Sequence, residues 1–101
     1  MPRRDRLPGE NALAGLPSLG PTSARMLVEA GVSDAEQLRT LGAIECFRRL
    51  RFRFGRRVTV NFVYAIECAI GRLDWRLLEP ARKAELKRQA QAIAEALEAL
   101  P

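Results

Sequence analysis

Val58-Thr59-Val60-Asn61-Phe62-Val63-Tyr64-Ala65-Ile66-Glu67-Cys68-Ala69-Ile70 is the stretch on which the fold class turns. Its first five residues alternate like a strand. Phe62 to Ile70, however, is a near-continuous apolar run that includes Ala65 and Ala69 and is too long for a typical strand. The run is read as a single helix over residues 58–70. A helix apolar on nearly every side belongs at the centre of a domain. Asn61 and Glu67 then need partners there, because a buried carboxylate without one is costly. A nearby arginine is the simplest partner for Glu67, which makes this acid a structural pin and not a catalytic group.

Immediately upstream, Ala43 to Phe54 carries Ile44, Phe47, Leu50 and Phe54 at helical spacing, a single apolar stripe. On the helical wheel Arg49, Arg53 and, if the helix continues, Arg56 lie nearly opposite that stripe, with Arg48 and Arg51 on its flanks. With Arg57 these make six arginines in ten residues and no acid, and the rest of the chain is close to neutral, 11 basic against 12 acidic residues. Guanidinium groups suit phosphate and carboxylate better than ammonium does, although a coding bias yields the same preference. A contact surface for nucleic acid or an acidic protein and an ordinary solvated helix face are alternative readings. Phe52 falls beside this face, outside the core stripe.

Further upstream, Ser33 with Glu36 reads as a capping box opening a helix that runs to about Thr40 and is separated from the next by Gly42. A helix from Pro21 to Ala30 presents Ala24, Leu27 and Val28 on one face and stops at Gly31, a natural left-handed cap. Downstream of Gly71, a turn with Asp74 and Trp75 leads to Pro80 and a last helix to about Ala99. Leu86, Ala90, Ile93, Leu97 and Leu100 form a seam along it. Two heptads are short for an independent coiled coil, so packing on its own domain, and a monomer, is favoured over a homodimer.

The entry to the Pro21 helix, Leu16-Pro17-Ser18-Leu19-Gly20-Pro21-Thr22-Ser23-Ala24-Arg25-Met26-Leu27, reads as a tight turn feeding a helix start. Pro21 suits the first helical position, which makes Gly20 the N-cap, and glycine offers no capping oxygen. The N–H groups of Thr22, Ser23 and Ala24 are then orphan donors at the positive end of a helix dipole, and a phosphate satisfies them together. Ser18 or water could do so instead. The candidate hairpin site is Ser18, Leu19, Gly20, Thr22, Ser23, Ala24 and Arg25.

This string resembles the helix-hairpin-helix motif, whose hairpin of the type Leu-Pro-Gly-hydrophobic-Gly-Pro-Lys-x-Ala holds a nucleic-acid phosphate on backbone amides. Ser18 stands where the motif has its first glycine and Thr22 where it has lysine. Leu38-Arg39-Thr40-Leu41-Gly42-Ala43, Gly55-Arg56-Arg57-Val58, Asn61-Phe62-Val63-Tyr64-Ala65-Ile66-Glu67 and Trp75-Arg76 extend the likeness. Read together, residues 16–88 resemble the C-terminal domain of the TfoX (Sxy) competence regulators. The resemblance implies a helical domain of regulators of DNA-uptake genes, one that usually follows a separate N-terminal domain, which this chain is expected to lack.

A chain of 101 residues fits one domain, and at this size folding buries about 60 to 70% of the surface the unfolded chain exposes. Residues 1–9 read as a basic, flexible lead, and residues 10–101 as one helical domain with a weak helical turn at Glu10–Ala14. The fold class expected is all-α, a compact bundle of about five helices containing a helix-hairpin-helix-like element. The charged start has no signal-type apolar core behind it and no segment is long enough to span a membrane, so the cytoplasm is the expected location. There is no histidine, and Cys46 and Cys68 cannot complete a zinc site by themselves, so both are expected to be small buried hydrophobes with no metal and no cofactor. Without histidine, a carboxylate pair or a nucleophile beside a base, no enzyme is expected. Two functions compete: a regulatory module touching DNA through the hairpin and the arginine face, with weak sequence preference or with specificity from a partner transcription factor, and a protein-interaction adaptor that touches no nucleic acid.

Overall fold

A computed structural model describes Leu13, Gly15, Leu16 and residues 18–100 of the chain. The lead expected over residues 1–9 lies outside these residues, as does the helical turn expected at Glu10–Ala14 apart from Leu13. Among the described residues the order is α1 (Pro21–Glu29), α2 (Ala35–Phe54), a 3₁₀ turn (Gly55–Arg57), α3 (Val60–Gly71), a second 3₁₀ turn (Trp75–Leu77) and α4 (Pro80–Glu98), with no strand. The described residues thus hold four helices where about five were expected. That count takes Ala35–Phe54 as one element, but Gly42 leaves helical geometry inside it, at φ 80° and ψ 166°, so two helical segments meet at a kink at the glycine expected to separate them.

The 58–70 segment is helical with a later start. Val58 is extended and fully buried, Thr59 is the N-cap, and the helix begins at Val60. The strand-like alternation is therefore the extended entry to α3, while the apolar run is the helix itself. Val63, Tyr64, Ile66, Cys68 and Ala69 are buried along it. Asn61 does not need the interior partner expected of it, because it lies in the first turn of α3 and is exposed. Glu67 has an arginine partner, with Arg82 Nε of α4 donating to its Oε2 at 2.8 Å.

The helix ends follow local chemistry, with two shifts from expectation. The N-cap of α2 is Asp34, not Ser33: its side chain accepts from the Gln37 amide at 2.8 Å while Gln37 Oε1 accepts from the Ser33 amide at 2.7 Å. The cap expected of Ser33 and Glu36 thus shifts to Asp34 and Gln37, with the Asp34 carboxylate taking the third amide of the helix while the Gln37 side chain still reaches back to the Ser33 amide. At the end of α1, the amide of Gly31 (φ 94°) donates to Val28 at 3.0 Å and that of Val32 to Leu27 at 2.8 Å, a Schellman arrangement that buries Val32 completely. α3 closes in the same way, but the left-handed residue is Arg72 (φ 53°) and not Gly71. Gly71 has a steric reason instead, since a Cβ there would stand 3.2 Å from Leu73 Cγ.

α2, α3 and α4 pack against one another, and α1 leans on α2. Leu27, Leu38, Phe47, Leu50, Ile66 and Leu86 are among the largest side chains that this packing buries completely. Cys46 and Cys68 are buried and free, and burial pushes the Cys46 thiol up to about 11. The seam of α4 packs inward at Leu86 and Ala90, is half-buried at Ile93 and Leu97, and emerges at Leu100. No helix among the described residues is long and apolar enough to cross a membrane.

Replacing Ile66 with alanine should cost about 2 to 5 kcal/mol in urea unfolding, because the site is enclosed on all sides and cannot collapse. Phe62→Ala should cost less, since that ring is only partly buried against the core. Equal losses would mean that α3 is not the enclosed element.

Candidate functional site

The hairpin end of α1 has the backbone its sequence implies. Gly20 is extended (φ −96°, ψ 179°), Pro21 opens the helix, and no side chain caps it. The Ala24 amide is not an orphan as expected: it donates to the Gly20 carbonyl at 3.0 Å, closing the first turn. The amides of Thr22 and Ser23 precede that first helical bond and point out of the helix end. Leu19 and Ala24 are buried, so among the candidate residues they serve packing, while Ser18, Gly20, Thr22 and Arg25 are exposed and Ser23 is half-buried. Ser18 takes φ 69°, the left-handed conformation that glycine adopts without strain.

The six clustered arginines do not form one face. α2 ends at Phe54, where Gly55 turns to φ 71°, so Arg56 and Arg57 leave the helical wheel for the 3₁₀ turn. Arg51 turns inward: its side chain, 14% exposed, donates to the Val58 carbonyl at 2.9 Å and to Glu98 at 2.8 Å, tying the entry of α3 to the end of α4. Arg56 is 84% exposed and stands 3.7 Å from the same Glu98. Arg48 and Arg49 both hold Glu45, with N–O distances of 2.6 and 3.1 Å. The Arg48 hydrogen bonds, aided by Arg49 and opposed by partial burial, hold the Glu45 carboxyl down at about 2.

The remaining arginines converge on α1. Thr22, Arg25, Glu29, Phe54 and Arg57 line one groove, and Glu29, Arg48, Arg49, Phe52 and Arg53 line a second. Glu29 belongs to both, so the two grooves form a continuous strip from the first turn of α1 to its last. Glu29 stands 4.0 Å from Arg25 and 3.9 Å from Arg53, loose ion pairs on a solvated surface. The Arg53 and Arg57 guanidiniums lie 5.5 and 5.8 Å from the centre of the Phe54 ring. The strip therefore carries five arginines and one glutamate. At 1.5 Å per residue, Thr22 to Ala30 spans about 12 Å, the axial rise of roughly three phosphates along one strand of duplex DNA. Among the described residues no three potential metal ligands of the His, Cys, Asp and Glu types come together.

A family model, the TfoX C-terminal domain, matches residues 9–90. The chain belongs to this family. It is 32% identical over 77 residues to the DNA transformation protein TfoX1 of Aliivibrio fischeri, a match covering 75% of this chain and 37% of that protein. The chain thus corresponds to little more than a third of its curated relative. A crystal structure of an uncharacterized protein from Listeria monocytogenes superposes with a TM-score of 0.75 at 31% identity, over 80% of this chain and 91% of that one. Within this TfoX C-terminal domain, the residues that sequence reasoning left out of the site are Glu29 and Phe54. Glu29 lies seven residues beyond Thr22, two turns along the same helix face, a periodicity visible in the sequence. Phe54 was assigned to the core stripe and is in fact half-buried beneath two arginines.

Ser18→Gly should stabilise the domain by about 1 kcal/mol in thermal or urea unfolding, by relieving the left-handed strain at an exposed position. Glu45 sets an acid limit. Its carboxyl is depressed in the folded state, so its contribution is present above the ordinary carboxylate range near 4.5 and is lost as pH falls towards about 2. Glu45→Gln should then cost about 0.5 to 1 kcal/mol at pH 7, the range for exposed pairs, and progressively less as pH falls towards about 2.

Proposed function

We propose that the domain is a non-enzymatic regulatory module that associates with DNA, working in the control of DNA uptake. The observation that carries the reading is the strip along α1, where uncapped backbone amides and arginines on three separate elements line adjoining grooves. Phosphate oxygens on the amides of Thr22 and Ser23 would complete the helix end, with Arg25, Arg57 and Arg53 as successive cations beyond it. The TfoX C-terminal domain family is of regulatory type and not known for enzymatic activity, and the curated relative is named for DNA transformation. Backbone phosphate contacts give affinity and orientation without base preference, so the choice of a genomic site falls to a partner protein. The competing adaptor reading assigns the same arginines to an acidic protein surface.

The strip sets the expected strength of the electrostatic term. Arg51 is committed to Val58 and Glu98, and Arg48 and Arg49 share Glu45. About three to four phosphates remain to be neutralised, for which raising salt from 50 to 200 mM weakens binding by about 40- to 150-fold. Fluorescence anisotropy with a short duplex measures this directly, and Arg53→Ala with Arg57→Ala should lower the slope by about two. Glu29→Gln should tighten binding several-fold, since it removes the one acid shared by both grooves. Undetectable binding of both duplex and single-stranded DNA at 50 mM salt by the folded protein would replace this reading with the adaptor.

A further inference from the structure

Phe52 is the most exposed of the large apolar side chains among the described residues, at 72%. Its neighbours are what set it apart. On one side it shares a groove with Arg48, Arg49 and Arg53, and on the other a groove with Arg51, Arg56, Leu97, Glu98 and Leu100. The arginines that make cation–π contacts sit on Phe54 instead, and the ring pair of the described residues is Tyr64 with Trp75, so among the described residues no ring or cation stacks on Phe52. It therefore contributes nothing visible to packing, although leaving a phenyl ring in water forfeits the burial energy that an aromatic residue ordinarily provides.

We infer that Phe52 is a stacking platform for an unpaired nucleobase, so that the strip accepts single-stranded DNA, or a melted stretch of a duplex, in preference to an intact one. This rests on the DNA reading above and names the form of DNA that the same surface takes. An intact duplex keeps its base faces stacked inside the helix, where a protruding phenyl ring has nothing to cover. A single strand offers a π-face at every nucleotide and a phosphate between each pair, and an aromatic ring among arginines meets both requirements at once. The geometry is consistent in register: the amide end of α1 and the Phe52 groove lie at opposite ends of one strip joined by Glu29. The two acids bordering the ring, Glu29 and Glu98, each face two arginines, so neither presents an uncompensated charge to a passing phosphate. Recognition by stacking is tolerant of sequence, which agrees with a surface that has no side chains arranged to read base edges.

The test compares fluorescein-labelled oligothymidine of fifteen nucleotides with a fifteen-base-pair duplex, by anisotropy at fixed low salt, on the full chain. The wild-type protein should favour the single strand. Phe52→Ala should weaken oligothymidine binding about tenfold, as for one stacked base, and change duplex binding less than twofold. Because the ring is exposed, this variant should unfold at the wild-type temperature, and circular dichroism checks that. Phe52→Trp in a Trp75→Phe background should restore affinity, and its emission should be quenched when oligothymidine is added. Four results would overturn the inference. Wild-type protein that binds the duplex at least as tightly as the single strand removes the preference while leaving the DNA reading intact. A Phe52→Ala effect equal on both ligands makes the ring a general surface element. Concentration-dependent doubling of the mass that Phe52→Ala abolishes assigns the ring to a second copy of this chain. Binding of neither ligand removes the DNA reading and this inference together.

Discussion

Covering α3 is the constraint from which the rest of the structure follows. A helix carrying Val63, Tyr64, Ile66, Cys68 and Ala69 in its interior must be enclosed on several sides. α2 and α4 supply the walls, and each gives its apolar stripe to that task. Once those stripes are spent, the direction of every arginine on α2 is settled by helical geometry. Residues opposite Phe47 and Leu50 face water, and a residue on the flank, Arg51, is drawn into the joint between α3 and α4. There it satisfies the Val58 carbonyl and Glu98 simultaneously. Charge-assisted hydrogen bonds of this kind at a half-buried position stabilise more than any exposed pair nearby.

The same constraint explains the division of labour among the charges. Acids lie within reach of most of the clustered arginines, but the pairing differs in tightness. Glu45 and Glu67 make short contacts within or between helices, whereas Glu29 sits near 4 Å from both of its arginines. Short pairs serve the fold. The loose pairs around Glu29 can be exchanged for a phosphate at little cost, since an exposed ion pair is worth at most about 1 kcal/mol. A surface able to exchange its internal partners for external ones is what a salt-dependent DNA contact requires.

The turn that enters α1 joins backbone strain to this surface. Ser18 holds a left-handed conformation beside two tight turns whose leucines, Leu16 and Leu19, are buried. Their burial anchors the turn, so the strain at Ser18 is offset by packing and not by any ligand. The amide end of α1 is consequently presented in a set orientation on its own, with Pro21 and Gly20 leaving it uncapped.

Sequence alone determined the helical class, the family, the amphipathic stripe of α2, the glycine breaks at residues 31 and 42, and the demand of Glu67 for an arginine. All of these depend on local periodicity, turn chemistry or the cost of burying charge, and such terms are read from neighbours in the chain. It also placed the uncapped start of α1 at Gly20 and Pro21, though one residue too far in counting the Ala24 amide among the orphan donors. Tertiary structure alone decided which arginines are available. A run of six looks uniform in sequence. The break at Gly55, the reach of Arg51 to Glu98 across 47 positions of chain and the docking of α1 against α2 divide it into a structural bridge and an outer strip. Tertiary packing likewise left Phe52 exposed beside the strip. These outcomes depend on contacts between elements far apart in the chain, which helical periodicity does not encode.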